Sequence, residues 1–165
     1  MKKLIFFSSF LIFFCNCDKN SEVTLIPLPV ITELPVYYVN NNSSTLITEK
    51  DIDDNVLILN SEIKVKDYLS DTFLHEYPEY LNVDFSKYSL LIKTSWITYK
   101  VSDRKIHFYL EKTNHQKIYK FQVDYSIDSL SIEEGYYIER IAIVVNKIDT
   151  NSVVEFWNSS QKIVE

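Results

Sequence analysis

The cleanest pattern along the chain is the strict alternation over residues 117–127. Tyr119, Phe121, Val123, Tyr125 and Ile127 fall on one side, and Lys120, Gln122 and Asp124 on the other. A period of two sends successive side chains to opposite faces, so this stretch predicts a strand with one buried and one wet face, as in antiparallel sheets. Residues 105–112 alternate in the same way, with Ile106, Phe108 and Leu110 on one face. Thr113-Asn114-His115 supplies a hairpin turn between the two. Residues 136–148 are apolar on both faces over 141–145, which suits a central strand. Residues 88–98, a mostly apolar run containing Trp96, and the short runs 56–59 and 153–157 complete the strand pattern, the last entered through Asp149-Thr150-Asn151. A first short strand is expected over 36–39, closed by the polar loop at 40–44.

One stretch carries a helical period instead. Asn60 or Ser61 offers an N-cap, Glu62 suits the positive end of the helix dipole, and Val65, Tyr68, Leu69 and Thr72-Phe73 recur at three- and four-residue spacing. This predicts one amphipathic helix over 61–69, with room to continue towards His75 before Pro78 ends any helical reading. The expected fold is α+β: a mostly antiparallel β sheet with one short amphipathic helix packed on it.

Composition sharpens this picture at two points. There is one glycine, Gly135, in 165 residues, so glycine-rich phosphate loops, dinucleotide-binding turns and nucleophile elbows are excluded. Twelve Tyr, ten Phe and two Trp favour pleated, half-buried strands. The formal net charge of −6 argues against a nucleic-acid partner, because neutralising phosphates needs basic clusters. The same balance argues against the folded domain binding anionic lipid head groups.

Both cysteines lie in the first 17 residues, MKKLIFFSSFLIFFCNC. Lys2 and Lys3 precede a nearly unbroken apolar run of 11 residues, 4–14, too short for the ~20 of a membrane-spanning helix and arranged like the n- and h-regions of an export signal. A signal ending in cysteine and followed by Asp18-Lys19-Asn20-Ser21-Glu22 resembles that of Bacteroidetes-type bacterial lipoproteins. The residue before each cysteine, Phe14 or Asn16, departs from the small residue of the strict motif. The resemblance implies cleavage, acylation of Cys17 (alternatively Cys15), and attachment to the outer membrane on its periplasmic or surface side. The phrase Asp84-Phe85-Ser86-Lys87-Tyr88-Ser89-Leu90-Leu91 also resembles a recurrent feature of small domains in such lipoproteins, and implies no chemistry.

On this reading residues 1–16 are the signal, 17–35 the acylated cysteine and tether, and 36–165 a single β-rich domain. Cleavage before Cys17 leaves 149 residues and, with Lys2 and Lys3 gone, a net charge of −8. The mature fold then has no disulfide and no cysteine metal site, so packing alone must stabilise it. Pro27, Pro29 and Pro35 mark the tether, and its apolar residues (Leu25, Ile26, Leu28, Val30, Ile31) predict that part of it lies along the domain as an edge segment. Extended at ~3.1 Å per residue, residues 18–35 would reach roughly 55 Å, and as a flexible coil about 20–25 Å.

Candidate chemistry is sparse. Asp51-x-Asp53-x-Asn55, with Glu62 at the twelfth place, matches the spacing of a calcium loop, but Val56 stands where that loop needs glycine. His75-Glu76-Tyr77-Pro78-Glu79 lacks the second histidine of a zinc helix and is broken by proline. His107 and His115 have no acid–nucleophile partner in sequence, and Glu133-Glu134-Gly135 reads as a turn. No metal or cofactor is expected. Tyr99, His107, Tyr109, Tyr136 and Tyr137 are instead the expected binding surface, an aromatic patch on a wet sheet face suited to a glycan or a protein partner. The expected function is a non-enzymatic, membrane-anchored extracytoplasmic binding or assembly module. An envelope hydrolase or glycan-processing enzyme is the alternative.

Overall fold

The computed structural model describes residues 23–35, 37–40, 55–97, 101–114, 116–128 and 137–163. Among the described residues nine strands form two sheets. In chain order they are β1 (Thr24–Leu28), β2 (Val30–Glu33), β3 (Tyr37–Asn40), β4 (Leu57–Leu59), β5 (Tyr88–Ile97), β6 (Val101–Lys112), β7 (Lys117–Asp128), β8 (Tyr137–Asn146) and β9 (Val154–Ile163). Two short helices, α1 (Glu62–Tyr68) and α2 (Asp71–Glu76), lie between β4 and β5. The fold is α+β and mostly antiparallel β, as the alternation predicted.

The central sheet runs β2-β8-β5-β4, with β3 continuing along the same edge of β8 as β2. Its backbone is buried on both sides. Leu90, Ile92, Ala142 and Val144 face the helices, where they meet Leu59, Val65, Leu69, Phe73, Leu74 and Tyr80. Leu91, Ile141, Ile143 and Val145 face the other way and meet Phe108, Phe121, Val123 and Tyr125 of the outer sheet. Two-sided burial is why residues 141–145 carry no polar alternation. Helices, central sheet and outer sheet are therefore three layers around two apolar seams.

The helical segment is cut in two by its own serines. Ser61 Oγ accepts from the Lys64 amide at 3.3 Å and caps α1; Ser70 Oγ accepts from the Phe73 amide at 3.2 Å and caps α2. A capping serine sits in extended backbone, and Ser70 does so at ψ 151°, which stops α1 and restarts the helix in a new direction. Pro78 then opens a single 3-10 turn, Pro78–Tyr80, and the Tyr80 hydroxyl donates to the Pro35 carbonyl at 3.0 Å. Burial pushes the Tyr80 phenol far above its ordinary pKa, so it remains a neutral donor.

The outer sheet has the order β1-β6-β7-β9. β6 and β7 are an antiparallel hairpin in continuous register from Asp103↔Ser126 to Lys112↔Lys117, while β9 joins β7 in parallel. β1 lies antiparallel on the free side of β6, with Leu28 opposite Phe108. Pro29 lies between β1 and β2, where the chain leaves the outer sheet for the central one. The proline-rich segment is thus part of the body. Its apolar residues lie along the domain as edge strands, as the sequence predicted: β1 on the edge of the outer sheet and β2 on the edge of the central one. Pro27 is tolerated because β1 is an edge strand with no neighbour on its outer side among the described residues, and Pro29 and Pro35 lie outside the strands.

Between the sheets sits a small ionic group. Glu139 is fully buried, accepts from the Tyr125 hydroxyl and lies 3.9 Å from Arg104 Nη1. Lys93, on the same face of the central sheet, stands 5.5 Å from the Phe156 ring centre. On the helix side Arg140 lies over the Phe73 ring at 4.7 Å and donates from Nε to Thr94 at 3.3 Å.

Candidate functional site

The outer face of the outer sheet concentrates the polar and aromatic side chains that the two seams exclude. Register places them in rows across the strands. Pro27, Tyr109, Lys120 and Glu155 form one row; His107, Gln122 and Trp157 the next; Lys105, Asp124 and Ser159 a third. Adjacent strands are about 4.8 Å apart, so His107 and Trp157 stand roughly 10 Å from each other with Gln122 as the floor between them.

Two hydrogen-bonded clusters fix this face. Lys120 reaches Glu155 at 2.6 Å and Glu111 at 3.4 Å, and its ammonium lies 4.8 Å from the Trp157 ring centre. The indole Nε1 donates to Glu155 at 3.3 Å, so the ring is held by its edge as well as its face. The bond to Glu155 raises the Lys120 pKa against the opposing effect of burial, and Lys120 in turn holds the Glu155 carboxyl below its usual range. In the second cluster Asp124 accepts from Ser159 Oγ at 2.6 Å, from Gln122 Nε2 at 2.9 Å, and faces His107 Nε2 at 3.3 Å. The serine bond is the largest of the effects that lower its pKa. The His107 and Tyr109 rings are stacked at 6.0 Å and 19°.

Ser159, Asp124 and His107 are the residue types of a hydrolytic triad in the wrong order. The aspartate stands between the other two, so the imidazole has no hydroxyl within its reach through these contacts and the serine is bound by a carboxylate rather than by a base. Through these contacts the three side chains hold one another in place on the sheet face.

His107 and Tyr109, expected together on a wet face, are together there. Tyr137 is not with them, since it lies in β8 of the central sheet, opposite Ile97 and Asn40. Two strands of similar pattern belong to different sheets, and alternation alone does not say which. Tyr99 and Tyr136 lie outside the described residues, as do Asp51, Asp53, His115 and the turn expected at 133–135. Of the calcium-loop spacing, residues 57–59 are a strand and Glu62 is paired with Lys66 on α1. His75 and Glu76 end α2, and Glu79 belongs to the 3-10 turn. Among the described residues no cluster of three His, Cys, Asp or Glu could hold a metal ion.

Trp157 is the residue that sequence reading missed. It is 56% exposed while Phe156, its neighbour in sequence, packs into the inter-sheet seam. The signal was present in the alternation of Val154 and Phe156 against Glu155 and Trp157. Only the parallel register of β9 on β7 brings that second set beside Lys120 and Gln122.

No family model, no curated protein and no solved structure matches this chain. Among the described residues no helix is long and apolar enough to cross a membrane.

Proposed function

We propose that the protein is a lipid-tethered, extracytoplasmic binding module of the cell envelope, anchored at Cys17, whose outer-sheet face takes a saccharide. The observation that carries the binding reading is Trp157, exposed in a register row with His107 and Gln122 and fixed by Lys120 and Glu155. A pre-fixed indole gives a sugar ring a flat apolar partner at small entropic cost. The amide of Gln122, the carboxylates of Asp124 and Glu155 and the hydroxyl of Ser159 offer hydrogen bonds around it. Composition favours a glycan over a protein partner. The centre of a protein interface is depleted in Lys, Glu, Asp and Ser, and these are the residues that surround the rings here. The leader at residues 1–17 supports the envelope address.

The test is a nuclear magnetic resonance titration of the folded protein with soluble oligosaccharides prepared from envelope polysaccharide. Shift changes centred on His107, Tyr109, Gln122 and Trp157, with Trp157→Ala weakening binding about tenfold, support the reading, tenfold being the effect of ~1.4 kcal/mol of lost stacking. Binding that maps elsewhere, or is unaltered in Trp157→Ala, would contradict it.

A further inference from the structure

The chain enters the fold at one end of the outer sheet, and among the polar residues of that end stand three exposed aliphatic side chains. Val23 and Leu25 are 54% and 56% exposed, and Val153, where the chain turns into β9, is 56% exposed. They share one end of the sheet but stand at its two edges, three strand spacings (roughly 14 Å) apart. Leu25 lies opposite Glu111, Glu111 opposite Ile118, and the Tyr119 amide bonds the Val153 carbonyl at 3.0 Å beside it. Lys112 and Lys117, both exposed, face each other beside the turn of the adjoining hairpin. The acids nearby are engaged: Glu111 is paired with Lys120, and Asp149 accepts from the Asn151 amide at 2.8 Å.

We infer that this end of the sandwich, marked by Val23, Leu25, Val153, Lys112 and Lys117, docks on a phospholipid surface and stands the outer-sheet face upright above it. The inference rests on the anchor at Cys17. What identifies the occupant is the chain outside the fold and where it enters. Because β1 begins at Thr24, six residue steps separate Cys17 from Val23, a reach of at most about 21 Å and not the roughly 55 Å that a longer tether would give. A domain held that closely meets the bilayer with the end through which its chain enters.

Three aliphatic side chains make a weak contact by themselves. Tethering raises the effective concentration of the surface into the millimolar range, where a weak contact is occupied. Aliphatic groups settle at the head-group boundary while lysine stems lie along it and deliver their charge to phosphates. The domain's overall negative charge opposes binding to anionic lipid as a whole, but screening within about 10 Å leaves local lysines to set the contact at this end. Trp157 is four residues along β9 from Val153, so the binding row lies about 13 Å further from the lipid.

The test uses the full, lipidated chain in vesicles of phosphatidylethanolamine and phosphatidylglycerol with brominated acyl chains. An environment-sensitive fluorophore is placed by Val153→Cys or, toward the other end of the same sheet face, by Lys105→Cys. Quenching several-fold stronger at position 153 than at 105, and abolished by adding Leu25→Asp while the protein stays in the vesicle fraction, is the expected result. Equal or absent quenching at the two positions, with the protein retained on vesicles, would overturn the docking and leave the anchor standing. A chain that carries no lipid and does not sediment with vesicles would overturn the anchor, and the docking with it.

Discussion

Lys120 and Trp157 sit on neighbouring strands of the outer sheet, with the ammonium 4.8 Å from the centre of the indole ring. The same ammonium bonds Glu155, whose carboxylate also receives the indole N–H. Three side chains from two strands thus fix one another, and the ring that would carry ligand stacking is held before any ligand arrives.

That mutual fixation predicts coupling. In a double-mutant cycle on Lys120→Met and Glu155→Gln, followed by urea unfolding, the interaction should be about 0.5–1 kcal/mol, the range for pairs that are partly solvated. Glu155 is 40% exposed, which keeps the figure at that level. Lys120→Met should also broaden the indole resonance of Trp157, because both its cation contact and the order of Glu155 are lost. Additive effects with an unchanged indole signal would contradict the account.

On the outer-sheet face three shifted groups contribute to the pH dependence. Asp124 and Glu155 have pKa values below their ordinary ones, chiefly through Ser159 and Lys120 respectively. A depressed carboxyl contributes stability that is present above its unfolded pKa and is lost as pH falls through the folded value. Stability should therefore hold above pH ~5 and decline below the unfolded carboxylate range near pH 4. Lys120 has the opposite sign: its raised pKa gives stability fully present below the unfolded lysine value and lost as pH rises through the folded one. Chemical denaturation across pH should show Asp124→Asn flattening the acid limb alone and Lys120→Met the alkaline limb, with part of the acid limb through Glu155.

The helix break predicts a third outcome. Ser70→Ala removes the cap of α2 and should cost about 1 kcal/mol of stability, whereas Phe73→Ala, which empties a fully buried site between Arg140, Tyr77 and Tyr80, should cost about 3–5 kcal/mol. Urea midpoints measure both. Equal costs would mean that α2 is held by its cap rather than by its packing.

Much of the fold was legible because alternation reports faces directly. Tyr119, Phe121, Val123 and Tyr125 lie inward, and Lys120, Gln122 and Asp124 outward, as the period of two requires. The unbroken apolar stretch at 141–145 likewise marked the strand buried on both sides. Alternation is silent about partners, since pairing depends on contacts far apart in sequence. The separation of β8 from β6 and β7 into different sheets, and the parallel join of β9 to β7, therefore came only from the structure. The apolar residues between the prolines marked an edge segment, and Pro27 is tolerated in it because β1 has no second neighbour among the described residues. Of the outer-sheet face, His107 and Tyr109 were visible; Trp157 was hidden until register set it beside them.

The account rests on an acylated leader ending at Cys17, and the direct measurement is intact-mass spectrometry of the protein taken from the membrane fraction of its native cells. A chain beginning at Cys17, 16 residues shorter than the full sequence and heavier by its acyl groups, is the expected result. A soluble chain that retains Met1 and carries no lipid would contradict the account.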